Sequence, residues 1–139
     1  MQLSNRFKYE KGIGGVNLSS DTAKVALMAE GFSFDPASHD TYSDVSASEL
    51  SAGDGYTAGG ATLTVQSAWA RDDVNDLASI QWADQVFETT GADWAGVDGA
   101  IFYIDSHANK IVLGYQAFEE TVVVTSDAPL ELYDLIFSS

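Results

Sequence analysis

Twenty-one carboxylates stand in this 139-residue chain, beside six lysines and arginines and two histidines. At that density Asp/Glu pairs arise by chance, so a pair alone carries no general acid–base signal. Asp35, Asp40 and Asp44 form one acidic cluster, and Asp72, Asp73 and Asp76 another. Neither has the spaced oxygens, central glycine and closing glutamate of a calcium loop, so both read as solvated loops, with a calcium site assembled from such loops the lesser alternative. His39 and His107 lack HxxxH or HExxH spacing, and the chain has no cysteine, so a zinc site lacks its usual ligands. Ser106 precedes His107 directly, with no GxSxG elbow around it, and a hydrolytic triad needs the two groups positioned separately. The reading is no enzyme, no catalytic residue, no cofactor and no metal site.

The glycine-rich stretches give no phosphate cradle. Gly12-Ile13-Gly14-Gly15 and Gly53-Asp54-Gly55 are followed by no lysine at the needed place, and no strand–loop–helix unit surrounds them. The one sequon, Asn17-Leu18-Ser19, matters only in a secretory pathway. Trp69, Trp82 and Trp94 leave two readings open. They are core or interface residues, or Trp94 and the Tyr56 loop form a platform for host glycans.

The elements that would carry these residues are strands. Alternation of apolar and polar residues is common and helical periodicity scarce. Thr22–Ala29 reads as a strand with Ala23, Val25 and Leu27 on one face and Lys24 on the other. Ser46-Ala47-Ser48-Glu49 before Leu50 has the pattern of a capping box, which predicts one short helical turn. Ala61–Trp69 alternates, Arg71–Asp76 is an acidic turn, and Ser79–Phe87 is a strand with a break near Ala83-Asp84. Ala100–Ile104 and Lys110–Gln116 are apolar on successive residues, so both faces are expected to be covered, and a hairpin-length loop joins them. Glu120–Thr125 and Leu130–Phe137 complete the set, separated by a turn at Ser126–Pro129. The expectation is a mostly β domain spanning 1–139. It is an antiparallel β-sandwich or partly open barrel of about six to seven strands, with an extended N-terminal arm and at most a short helix.

The apolar fraction is 45%, enough for one core at this length without disulfides. No run approaches the roughly 18 apolar residues that span a bilayer, and no apolar segment behind the first cations marks a signal peptide. Charge is unevenly placed. Residues 1–11 hold Arg6, Lys8 and Lys11 with Glu10 the sole acid, leaving 20 acids against 3 bases, a net −17, in the remaining body. Such a surface repels phosphates, which argues against nucleic acid as a partner. The acidic excess reads first as solubility, like-charged copies repelling one another. The sharper reading is a basic arm, residues 1–11, that would order on a neighbouring protein. Arg6, Phe7, Lys8, Tyr9 and Lys11 are its candidate partner-binding residues, since aromatics and arginine anchor interfaces.

Several pieces occur in a characteristic order. They are Val16-Asn17-Leu18-Ser19-Ser20-Asp21-Thr22-Ala23-Lys24-Val25-Ala26-Leu27, then Asp40-Thr41-Tyr42-Ser43-Asp44-Val45, then Gly55-Tyr56-Thr57-Ala58-Gly59-Gly60-Ala61-Thr62-Leu63. A tryptophan strand, Ile80-Gln81-Trp82, and the hairpin Ala100–Gln116 with Leu113-Gly114-Tyr115 follow. Over roughly residues 1–125 this resembles a widespread family of small tailed-bacteriophage structural proteins, usually encoded among head and tail genes. The resemblance implies a virion component made in the bacterial cytoplasm, and foremost a capsid decoration (cement) protein outside the head. Its partners would be the major capsid protein and neighbouring copies of itself, as in a homotrimer. A tail, neck or baseplate role fits the same features. The acidic body and the ending Tyr133–Ser139 depart from the family's usual pattern. The ending reads as a last core strand or as a segment added to a neighbour's sheet.

Overall fold

The computed structural model describes residues 1–139. Its centre is the hairpin of β7 (Val97–Ile104) and β8 (Val112–Val122), flanked by β2 (Ala23–Ala29). Two short strands close this antiparallel sheet, β1 (Gln2–Leu3) beside β8 and β3 (Ala61–Thr62) beside β2, giving the order β1-β8-β7-β2-β3. Three further strands, β4 (Val65–Asp72), β5 (Leu77–Trp82) and β10 (Ile136–Ser138), form a second antiparallel sheet in the order β10-β5-β4. A third sheet pairs β6 (Gln85–Phe87) with β9 (Leu130–Leu132). The smaller sheets lie against one face of the large one, and the layer between them is the main core. It includes Val25, Leu27, Phe102, Ile104 and Leu113 from the large sheet, and Ile80, Trp82, Phe87, Leu130 and Phe137 from the small ones.

The apolar runs on β7 and β8 have the coverage their sequences predict. Phe102 and Ile104 point into the main core, while Ile101, Tyr103, Val112 and Tyr115 belong to a second cluster with Ala26 and Met28. That outer face is roofed by the segment 30–60, which contributes Phe32, Phe34, Tyr42 and Val45. Within it lie α2 (Tyr42–Val45) and a 3-10 turn, Ser46–Ser48. The helical turn therefore begins four residues before the predicted box. Asp44, not Glu49, reaches back to accept the N–H groups of Thr41 at 2.8 Å and Asp40 at 3.1 Å, the role an acid plays near a helix start.

Ten strands stand where about six to seven are expected, because long runs break at identifiable points. Ala61–Trp69 is interrupted at Leu63-Thr64, and Ser79–Phe87 at Ala83-Asp84, the break its sequence predicts. Leu130–Phe137 breaks at Tyr133–Leu135, with Asp134 at φ 54. Residues 120–122, read as the start of a separate strand, instead finish β8. There the register jumps from Gly99↔Ala117 to Val97↔Val122, so β8 bulges outward. The C-terminal segment is a strand of this chain's own sheet, with Phe137 buried.

The largest difference lies at the start of the chain. Residues 1–11 are not an extended arm. They form β1, paired to Gly114 and Tyr115 of β8, and most of α1 (Asn5–Ile13). Ser4 caps the helix with its Oγ, accepting from the Phe7 N–H at 2.9 Å, and donates the same hydroxyl to the Val112 carbonyl at 2.5 Å. Gly14, at φ 79, ends it in the left-handed conformation that favours glycine. Phe7, only 1% exposed, anchors the helix in the main core.

Candidate functional site

The five residues expected to grip a partner divide once folded. Phe7 is core. Arg6 Nε donates to Glu10 Oε1 at 2.6 Å, one helical turn along, and Glu10 is itself buried. The Lys11 ammonium reaches the Ser139 hydroxyl and lies 5.5 Å from the Trp69 ring centroid and 5.4 Å from that of Phe137. That position uses its charge to close the two ends of the chain against each other. Only Lys8 and Tyr9 are exposed, with Ile13 beside them on the outer part of α1. The helix thus offers a small mixed patch, where a mobile arm would have offered all five side chains.

The acidic clusters serve their own loops. Asp35 accepts from the Ala37 N–H and the Ser38 hydroxyl, and Asp72 from the Val74 and Asn75 N–H groups and the Asn75 amide. These bonds favour the ionised form and hold both carboxyls below their ordinary range, the Ala37 N–H dominating for Asp35 and the Asn75 side chain for Asp72. His39 Nδ1 accepts from the Asp35 N–H, and His107 Nδ1 from the Asn109 N–H. Ser106 donates to Asp21 and accepts from the Thr22 N–H.

A polar cluster that sequence reasoning missed is centred on Glu49. Its Oε1 accepts from the Tyr56 hydroxyl at 2.7 Å and the Gly59 N–H at 2.8 Å, while Oε2 accepts from the Tyr42 hydroxyl. Tyr56 also accepts the Leu27 N–H at 2.9 Å, and Tyr103 donates to the Gly59 carbonyl at 2.6 Å beneath a stacked Tyr42 ring. Burial, and then the bond to Glu49, pushes the Tyr42 and Tyr56 hydroxyls far above the usual tyrosine range. Through the bonds of Tyr56 to Leu27 and of Tyr103 to Gly59, the cluster fastens the roof to the sheet. Gly60 lies at φ 76 against β2, where an added Cβ would fall 1.8 Å from the Val25 carbonyl oxygen. The D-T-Y-S-D-V and G-Y-T-A-G-G segments are therefore fold-forming pieces.

The two rings named for a glycan platform, Trp94 and Tyr56, are both buried. Trp94 is 5% exposed, donates its Nε1–H to the Asp54 carbonyl at 2.9 Å, and meets Tyr56 edge to face. Neither ring presents a free face for a sugar to stack on.

What remains exposed is a set of surfaces suited to contact. β4 is the outer strand of its sheet, and none of its eight residues is buried. A second feature is a hollow of about 210 Å³ floored by Trp82 and Phe102 and bordered by Met1, Tyr133 and Ile136, which are 46%, 65% and 52% exposed. The third is a wider cleft of about 460 Å³ between the 31–34 loop and the bulge of β8. No helix is long and apolar enough to cross a membrane.

No family model, curated protein or solved structure matches the chain. Its class is set by its fold, a mostly β protein of antiparallel sheets.

Proposed function

We propose that this chain is a structural protein of a tailed-bacteriophage virion, acting as a capsid decoration (cement) protein on the outside of the head. There it bridges capsomers of the major capsid protein. The observation that carries the reading is β4, an eight-residue strand with an unpaired outer edge and no buried residue. A long free edge is a template for pairing with another chain. From Val65 to Ala70 this strand carries no charge. The resemblance over residues 1–125 supplies the setting in which such an edge is used, a repeating shell.

Modest interfaces summed over many copies stabilise a shell without one tight contact. The net charge of −15 keeps free copies apart before assembly. The α1 patch of Lys8, Tyr9 and Ile13 adds a second contact surface, in place of a flexible arm.

The test is to add the purified protein to phage shells lacking it and to locate it in a particle map. Copies on the order of hundreds per particle, arranged on the symmetry axes of the shell, support decoration. Copies confined to a ring at one vertex support the tail or neck reading instead, and absence from purified virions overturns both.

A further inference from the structure

We infer that the cleft beside β8 receives the guanidinium of an arginine carried on an extended segment of a partner protein. The cleft's volume, about 460 Å³, is ample for a long side chain and the backbone on either side of it. Phe32, Phe34 and Tyr115 line it, together with the acids Asp98, Glu119 and Glu120, and no lysine or arginine does. Phe32 meets Tyr115 edge to face at 5.1 Å and Phe34 lies tilted against it at 5.7 Å. His39 packs on both phenylalanines, at 5.5 and 5.6 Å, and holds the loop in place.

Two groups in this cleft are set up for a donor-bearing cation. Asp98 lies where β7 bulges and accepts from the Thr121 hydroxyl at 2.5 Å and the Gly31 N–H at 2.7 Å. Tyr115, 7% exposed, lines the cleft with its ring against Phe32 and Phe34.

An anion would meet three carboxylates, and a neutral ligand would leave their charge unanswered. A guanidinium answers both features at once, because its plane stacks on aromatic rings and its fork of N–H groups suits paired carboxylates. The main chain beside the cleft can hold the segment that carries it. β1 covers only Gly114 and Tyr115 of β8, so from Gln116 onward the outer edge of that strand has no partner.

A second copy of this chain is a poor occupant. Each copy carries −15, and Arg6, Arg71 and Lys110 are already paired to Glu10, Asp73 and Asp105. The inference rests on the cleft alone and does not depend on the virion reading.

The experiment is an amide-shift NMR titration of the full chain with a capped Gly-Gly-Arg-Gly-Gly peptide, and in parallel with its citrulline twin, which keeps the shape and loses the charge. The expected result is saturable shifts confined to residues 31–34, 98 and 115–121, with none from the citrulline peptide. Glu119 and Glu120 are exposed, so the double variant E119Q/E120Q keeps the fold and should bind about fivefold more weakly. Phe34→Leu, which removes an aromatic face and keeps bulk, should weaken binding by about threefold. Equal shifts from the citrulline peptide, shifts scattered over the acidic surface, or unchanged affinity in E119Q/E120Q would each overturn the inference.

Discussion

Phe7 and Phe137 meet edge to face, with ring centroids 5.5 Å apart and planes at 85°, so the first helix closes against the last strand. Both rings belong to the main core. Phe7→Ala should therefore lower stability by about 3–5 kcal/mol, as for other large buried aromatics, read from the midpoint of urea unfolding. Deleting residues 1–11 should do at least as much, since β1 and the Ser4 cap go with it. A deletion variant as stable as the full chain would show that α1 is an appendage after all.

Glu49 is the single carboxylate on which Tyr42, Tyr56 and the Gly59 N–H converge. Truncating it leaves three donors facing a gap, each an unsatisfied polar group in a partly buried place. Glu49→Ala should cost about 3 kcal/mol, and Glu49→Gln less, because the amide keeps one acceptor. Native-state hydrogen exchange separates this from a global effect: the Gly59 and Leu27 amides should lose protection first. If both exchange as in the parent, the cluster is not what fastens the roof.

Two left-handed glycines should respond differently to the same change. Gly60 has its missing Cβ aimed at the Val25 carbonyl, 1.8 Å away, whereas Gly14 has nothing within 4 Å. Gly14→Ala pays only for its positive φ, about 1 kcal/mol. Gly60→Ala adds a backbone collision and should cost at least about 3 kcal/mol, or prevent folding. Similar melting temperatures for the two variants would mean β3 can shift away from β2 at little cost.

The parts of this fold that can be read in the sequence are those whose partners are many and apolar. β2, β7 and β8 announce themselves because side chains on both faces are buried, and the hairpin loop at Asp105–Asn109 is short and polar. The helix α1 does not, because only one of its apolar residues, Phe7, is buried and no stripe is needed to hold it. Its signals are local: Ser4 as cap, Arg6 and Glu10 at ion-pair spacing, and Gly14 as stop. The basic character of residues 1–11 therefore suggested a free arm, although two of the three cations have partners within the chain. The Glu49 cluster is harder still. Its ligands come from Tyr42, Tyr56 and Gly59 across turns whose geometry no periodicity encodes, and the 32–34 loop meets β8 only in three dimensions.

Alkali should unfold the protein through its tyrosines. Burial raises the hydroxyl pKa of Tyr42, Tyr56, Tyr103 and Tyr115 above the unfolded value near 10.0, so these groups keep protons that the unfolded chain releases. A raised folded pKa contributes stability that is complete below the unfolded value and is lost as pH climbs toward the folded one. Stability should be flat just below pH 10 and fall above it, with tyrosinate absorbance from these four rings rising together with loss of circular dichroism. Their ionisation in a chain that keeps its dichroism would mean the rings are more open than their packing shows.

The free edge of β4 gives the most direct check on assembly. Gln66 and Ala68 are exposed, and the register shifts of the β4–β5 ladder fall in the same stretch, between Val65 and Ser67 and between Ser67 and Ala70. Natural edge strands repel unwanted partners with lysine, so Gln66→Lys/Ala68→Lys should block pairing on the outer side and leave β5 untouched. Substitutions at exposed positions of this kind change stability by less than about 1 kcal/mol, so unfolding curves should nearly superpose on the parent. Loading onto shells should then fall by more than about tenfold, the effect of removing a main-chain ladder from an interface. A variant that is stable and still loads fully would assign shell binding to the α1 patch or to the hollow above Trp82, and Lys8→Glu/Tyr9→Ala would separate those two.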